Sequence, residues 1–228
     1  MMEVKSAILS SSIVKKYWMA LTGLFLCTFL IVHLGGNLIL LKGEEARLGF
    51  NAYAKFMTTF PVIKAISYLL YFSILFHAFD GILLTIQNRS ARPVRYYYNK
   101  PEANSTWASR NMAFLGTIIL IFIVSHMANF WYKMHFGNIP LDANGNKDLY
   151  EVVVAFFKDP NLGILYVSIY VLSMVALGFH LIHGFASSFQ TLGLYHKKYN
   201  PIIKNTSLLF GVLVPLLFAI IPIFIYLQ

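Results

Sequence analysis

The chain has 228 residues, of which 58% are hydrophobic and only 12% are charged, and its formal net charge is +9. Soluble domains usually have about 25% charged residues, so this composition indicates an integral membrane protein. Because no basic, soluble module remains outside the apolar runs, nucleic acid is excluded as a partner and the positive charge is interpreted as a feature of the membrane surface.

Five apolar runs predict an all-α domain covering residues 1–228, built as a bundle of five transmembrane helices. Each run is long enough for the roughly 20 residues that cross a bilayer as a helix. The predicted spans lie near residues 17–41, 65–87, 112–134, 161–190 and 207–227. Two further segments, "EARLGFNAYAKFM" (45–57) and "DLYEVVVAFFKD" (148–159), have apolar residues at helical spacing and are predicted to lie along the outer interface.

The distribution of basic residues predicts the orientation of the bundle. On one side of the predicted membrane, eleven basic residues face only two acids, Glu3 and Glu102. These basic residues are Lys5, Lys15, Lys16, Arg89, Arg92, Arg95, Lys100, Arg110, Lys197, Lys198 and Lys204. The opposite side has seven basic residues offset by six acids. Since basic residues favour the cytoplasmic side, we expect the N-terminus in the cytoplasm and the C-terminus outside.

The first and third spans share a pattern of glycine and histidine. In the first, "GLFLCTFLIVH" contains Gly23 followed ten residues later by His33. In the third, "GTIILIFIVSH" contains Gly116 followed ten residues later by His126. In both spans the histidine lies eight residues before the predicted outer end, which places the two histidines at the same depth.

The second and fourth spans share a different pattern, in which a glycine follows four residues after a histidine and a glutamine follows ten residues after it. The members are His77, Gly81 and Gln87 in "HAFDGILLTIQ", and His180, Gly184 and Gln190 in "HLIHGFASSFQ". The alternation of two patterns along the chain indicates two helical pairs built to a common plan. It also makes His180, and not His183, the counterpart of His77.

Together the patterns predict two layers of histidines inside the membrane. His77 and His180 each lie ten residues before the inner end of their spans and form an inner pair, while His33 and His126 form an outer pair. Ionisable residues in membrane helices are costly and are usually functional. Two facing imidazoles suit the axial ligation of haem b, and ligation from both faces leaves no open position for substrate, which favours electron transfer.

The glycines of the repeat fit this interpretation. Gly81 and Gly184 follow the inner histidines on nearly the same helical face and would let a flat macrocycle approach the backbone. The alternative is close helix packing, which is common in membranes. For Gly23 and Gly116 both interpretations stay open.

The ordered combination of motifs resembles the cytochrome b membrane anchor of succinate dehydrogenases and fumarate reductases, in the type with one five-helix polypeptide and two haems. The resemblance rests on the four span histidines in order, the "HxxxG" after the second and fourth of them, "QTLG" at 190–193 and "GFNAYAKFM" at 49–57, and it covers nearly the whole chain. It implies that His77 and His180 ligate a proximal haem and that His33 and His126 ligate a distal one.

The resemblance also implies the partners and the setting. This chain would anchor a flavoprotein subunit and an iron–sulfur subunit on the cytoplasmic side of a bacterial inner membrane, as a multi-pass protein in the lipid bilayer. It would carry electrons between them and a membrane quinone, expected to be menaquinone and to react near the distal haem, and would have no residue that acts on succinate itself. Some relatives have a glutamate two residues before the fourth ligand; here that residue is Gly178.

Three alternatives remain open from the sequence. A cytochrome b of a hydrogenase or formate dehydrogenase would bind haem with other partners. A proton-coupled transporter would use the histidines and Asp80 as a relay without haem. A purely structural anchor would need neither haem nor a proton relay.

The repeat makes one further prediction inside the membrane. Asp80 and His183 occupy matching positions, three residues after His77 and His180. Because an isolated carboxylate in hydrocarbon is costly, we expect Asp80 to pair with His183.

Overall fold

The computed structural model describes residues 11–91 and 100–228, which are helical apart from short connections. Five long helices are apolar enough to cross a membrane, which confirms the predicted all-α bundle. In order these spans are Ser12–Asn37, Pro61–Ser90, Met112–Phe136, Gly163–Thr191 and Asn200–Leu227. Of the residues used to predict the orientation, Glu3, Lys5, Arg92 and Arg95 lie outside the described ranges.

The helices begin and end differently from the apolar runs that predicted them. The first span begins at Ser12, because the Ser11 side chain caps it by accepting from the Val14 N–H at 3.3 Å. It ends at Asn37, where the chain tightens into a 3₁₀ segment, Leu38–Ala46, that bends at Gly43 with φ of 67°. Helix caps and backbone bends determine where the helices begin and end, and hydrophobicity alone does not predict these positions.

Large apolar side chains cover the outside of the bundle. Leu75 is 69% exposed, Leu172 is 67% exposed and Ile121 is 66% exposed. A water-soluble chain rarely presents so much contiguous apolar surface. This surface therefore faces lipid, and the protein is a multi-pass membrane protein.

The third span is not a regular α-helix throughout. Its α-helical part, Met112–His126, continues into a π-helical turn, Met127–Tyr132, before a last α-helical turn, Lys133–Phe136. Such π-helical turns are rare and occur frequently at functional sites. The turn begins directly after one of the predicted site histidines, His126.

The fourth and fifth spans touch through their backbones. A Cβ atom built on Gly211 would lie 2.8 Å from the Ile182 nitrogen, and one built on Gly178 would lie 3.0 Å from the Gly211 carbonyl oxygen. The Ser207 hydroxyl, 1% exposed, donates to the Ile182 carbonyl across the same contact. Glycine at Gly178 and Gly211 therefore permits a close helix crossing of the kind common in membranes.

Two short helices, Arg47–Thr59 and Leu149–Phe157, form a cap at one end of the bundle. They correspond to the two amphipathic helices predicted from the sequence. The Asp148 carboxylate, in a residue 1% exposed, joins them by accepting from Arg47 Nε at 2.8 Å and from Asn51 Nδ2 at 2.9 Å. Asn51 is fully buried, and its Oδ1 accepts from the Tyr150 N–H at 2.9 Å.

Replacing Asp148 with alanine is expected to destabilise this cap by about 1–3 kcal/mol, because the buried Asn51 amide loses a partner. Burial raises the pKa of Asp148, but hydrogen bonds from Arg47 and Asn51 outweigh burial and hold it below its ordinary value. A lowered pKa means that the carboxylate stabilises the folded cap above about pH 4, and that this contribution disappears as the pH falls through the lowered pKa.

Hydrogen exchange at the Tyr150 amide, measured against pH in lipid nanodiscs, checks this expectation. The control is Glu44→Gln, which removes an exposed partner of the same Arg47 and should change the cap by less than about 1 kcal/mol. Equal protection of Tyr150 in the Asp148→Ala variant and the native protein would contradict the assignment.

Candidate functional site: a cavity lined by two histidine pairs

A cavity of about 2180 Å³ runs between the membrane spans. All four histidines predicted from the repeat, His33, His77, His126 and His180, line it. Apolar side chains make up most of the remaining wall. The site is therefore a large apolar space with a small number of nitrogen ligands on its surface, as ligand and cofactor sites commonly are.

The structure brings the four histidines together as two pairs. The ring centroids of His77 and His180 are 6.2 Å apart with an interplanar angle of 63°. The ring centroids of His33 and His126 are 5.8 Å apart with an angle of 89°. Each pair joins histidines from two different spans, and these are the partners that the matched depths predict.

This spacing suits a metal ion between the two rings of each pair. Two imidazole–metal bonds of about 2.0–2.1 Å in line, plus about 1.1 Å from each ring nitrogen to its ring centre, separate the centroids by roughly 6.3 Å. The inner separation of 6.2 Å matches this value, and the outer separation of 5.8 Å is about 0.5 Å shorter. Within the described ranges there is no group of three or more His, Cys, Asp or Glu side chains that could hold a bare metal ion.

The repeated glycines lie next to the inner pair. A Cβ atom on Gly23 would be 3.3 Å from His77 Cε1, and one on Gly116 would be 3.9 Å from His180 Cε1. A Cβ atom on Gly184 would meet nothing within 4 Å, and one on Gly81 would meet only Met19 Cε, at 3.7 Å. Gly23 and Gly116 thus leave room for the histidine rings themselves, whereas Gly81 and Gly184 border open space in the cavity.

Aromatic rings support the outer pair in the same repeated way. Phe29 stacks on His33 with ring centroids 5.1 Å apart, and Phe122 stacks on His126 at 5.5 Å. Each phenylalanine lies four residues before its histidine, one helical turn away. The two halves of the bundle therefore present their outer histidines from equivalent positions.

The hydrogen bonds of the rings are not equivalent. His77 Nδ1 lies 3.2 Å from Thr22 Oγ1 on the first span. His33 Nδ1 lies 3.5 Å from Asn37 Nδ2, an amide that donates to the His33 carbonyl at 2.7 Å. Nδ1 of His126 and Nδ1 of His180 are buried and have no hydrogen-bond partner in the part of the chain that the structure describes.

The predicted pair of Asp80 and His183 is wrong, since the two side chains form no hydrogen bond or ion pair although both are described. Asp80 is 4% exposed, and its Oδ2 has no hydrogen-bond partner among the residues that the structure describes. His183 lines the cavity, whereas Asp80 is buried and is not part of the cavity lining.

Several polar residues of the cavity were missed in the sequence. The Thr85 hydroxyl donates to the Gly81 carbonyl at 2.7 Å, and the Ser188 hydroxyl donates to the Gly184 carbonyl at 2.9 Å. Both line the cavity, each eight residues after an inner histidine, so comparing every position of the two repeat segments would have found them. Thr22 carries no such signal, because its counterpart in the third span is apolar.

These features define a five-helix membrane protein whose central cavity holds two histidine pairs. No protein-family model, no curated protein and no solved structure matches the chain.

Proposed function

We propose that the protein is a dihaem cytochrome b that anchors a succinate:quinone oxidoreductase, of the succinate dehydrogenase or fumarate reductase type, in a bacterial cytoplasmic membrane. The observation that carries this proposal is the spacing of the two histidine pairs across an apolar cavity. His77 and His180 would hold one haem b, and His33 and His126 the other. Held by these residues, each haem would supply reversible one-electron chemistry.

The shape of the cavity supports two flat cofactors rather than one compact ligand. Its volume reaches from the inner to the outer pair, and it has open space beside Gly184. The chain contributes the axial nitrogens, excludes water with apolar walls and keeps both ligand pairs on rigid helices. These are the contributions that a protein makes to a cofactor's redox chemistry.

The basic residues support the proposed orientation and docking side. Lys15, Lys16 and Arg89 lie at the end of the bundle nearer the inner pair, where an excess of positive charge favours the cytoplasm. An iron–sulfur subunit bound on that side, carrying a flavoprotein subunit, would exchange electrons with the inner pair first.

A haem count with identification of copurifying subunits tests the proposal. Purified native protein should contain two low-spin b haems per chain, together with a flavoprotein and an iron–sulfur protein. Copurification with subunits of a hydrogenase or a formate dehydrogenase would instead assign the protein to that complex. A chain without haem would overturn the proposal in favour of a transporter or a structural anchor.

The outer pair has the surroundings expected for a quinone site. The Tyr170 hydroxyl is buried beside the Asn129 side chain, and the centroid of the Tyr170 ring is 6.0 Å from that of the His126 ring. Phe130, Phe156 and Phe157 pack around the tyrosine. An aromatic enclosure that contains a tyrosine hydroxyl suits a flat quinone ring with carbonyl oxygens, so we propose that exchange with quinone, expected to be menaquinone, occurs at this layer.

Electron flow from the inner to the outer layer makes turnover depend on the membrane potential. Moving one charge across the membrane is worth about 2.3 kcal/mol per 100 mV. Electrons that pass outward are favoured by an inside-negative potential, so succinate oxidation by menaquinone should accelerate under that potential and slow under the reverse one. Gly178, packed against Gly211, offers no carboxylate for a compensating proton movement.

Turnover of succinate with menaquinone in sealed vesicles, under an imposed potential of either sign, checks this expectation. The control is succinate oxidation by a soluble acceptor at the flavoprotein, which should not respond. Indifference of menaquinone reduction to the potential would place the quinone site at the inner layer instead.

A further inference from the structure

The hydrogen bond between Thr22 and His77 has a defined direction. The Thr22 hydroxyl has one hydrogen, which it donates to the Trp18 carbonyl oxygen at 2.7 Å. Towards His77 Nδ1, 3.2 Å away, Thr22 Oγ1 therefore acts as the acceptor. Nδ1 of His77 consequently carries the proton, and Nε2 keeps its lone pair.

The first span is built to hold this hydroxyl in place. Thr22 is 8% exposed and lies one residue before Gly23, where a Cβ atom would be 3.3 Å from His77 Cε1. Glycine lets the helix come close enough for its neighbour's hydroxyl to reach the ring. Because Thr22 also bonds its own helix one turn back, its side chain has little freedom to turn away.

The second half of the bundle lacks this arrangement. Ten residues before His126, Gly116 lies against His180 as Gly23 lies against His77. The residue before it, however, is Leu115, which has no hydrogen-bonding group. His180 Nδ1 accordingly has no hydrogen-bond partner among the described residues. The two ligands of the inner pair thus have unequal surroundings, although the repeat makes their backbones equivalent.

We propose that Thr22 is a positioning residue that fixes the tautomer and ring orientation of His77 and lowers the redox potential of the inner haem. This inference rests on the proposed function. An acceptor at Nδ1–H gives the imidazole more anionic character, which strengthens its bond to ferric iron more than its bond to ferrous iron. Groups of this kind around a metal-binding histidine raise the basicity of the ligand.

Redox titration of the Thr22→Val variant, with each haem followed by its absorption spectrum, tests the proposal. Valine keeps the shape and removes the acceptor, so the potential of the inner haem should rise. A tenfold change in the ratio of ferric to ferrous affinity corresponds to about 59 mV for one electron. The outer haem is the internal reference and should keep its potential.

Two further variants separate positioning from packing. Thr22→Ser restores a hydroxyl at the same atom and should return the inner potential to the native value. Thr28→Val removes a hydroxyl on the same span that bonds only the Leu24 carbonyl, and should leave both potentials unchanged. Loss of the inner haem in Thr22→Val, with retention in Thr22→Ser, would also support the role.

Other outcomes overturn the inference. An unchanged inner potential in Thr22→Val would show that the hydroxyl does not act on His77. Loss of the inner haem in both Thr22→Val and Thr22→Ser would assign Thr22 a packing role only. If the native protein contains no haem, the proposed function itself fails, and that result is visible before any variant is made.

Discussion

Replacing His77 or His180 with alanine is expected to remove one of the two proposed b haems and to leave the other spectrally intact. Under the proposed function each pair would supply both axial nitrogens of one haem, and the ring centroids are 6.2 Å apart in the inner pair and 5.8 Å apart in the outer pair. Alanine in either layer should therefore abolish six-coordinate binding there. The same substitution at His33 or His126 should remove the other haem. Extracted haem per chain and low-temperature spectra measure both results.

His183→Gln is the matched control for these variants. His183 lies on the same span as His180, three residues later, and lines the same cavity. It has no partner histidine across the cavity, so its substitution should retain both haems. Loss of a haem in His183→Gln, or retention of both haems after all four pair histidines are replaced, would contradict the ligand assignment.

Gly211→Ala is expected to destabilise the bundle by about 3 kcal/mol, the upper end of the range typical for overpacking. The added methyl group would lie 2.5 Å from Ile182 Cγ1 and 2.8 Å from the Ile182 nitrogen. Ile182 Cγ1 could turn away, but its nitrogen belongs to the helix backbone and can move only if the fourth and fifth spans separate. The Ser207 hydrogen bond to the Ile182 carbonyl would be strained by the same movement.

Thermal unfolding in a mild detergent measures this cost. Gly35→Ala is the control, because Gly35 is also helical and a Cβ atom there would meet nothing within 4 Å. Alanine should leave the stability at that position unchanged or slightly raise it. Equal stability of the two variants would show that the spans cross less tightly at Gly211 than the structure indicates.

The membrane bundle was predictable from the sequence because its signal is spread over many residues. Each span is a long apolar run, and no single side chain decides its existence. The ends of the spans depend on single residues, such as the Ser11 cap and the positive φ of Gly43. The crossing at Gly178 and Gly211 is a tertiary contact, and hydrophobicity along one helix contains no information about it.

In the candidate site, too, some features were predictable from the sequence and others depend on tertiary contacts. The partners within each histidine pair follow from depth in the membrane. Because an α-helix rises by a constant distance per residue, depth can be calculated from residue number. The pairing of Asp80 with His183 did not follow from matching positions, because depth says nothing about which side of a helix faces its neighbour. The Thr22 contact required both the rotation of the first span and its closeness to the second, and only the folded structure contains these.

The register of the first and third spans fixes the distance between the two histidine layers, which under the proposed function is the distance that an electron would tunnel. Gly23 lies beside His77 and Gly116 lies beside His180, and in both spans the outer histidine follows ten residues later. Ten residues of α-helix rise about 15 Å. A helix resists stretching, because lengthening it breaks backbone hydrogen bonds. Two helical segments of equal length therefore set the separation of the layers. Substitutions in the cavity wall should alter the redox potential or the occupancy of the proposed haems, while the tunnelling distance stays constant.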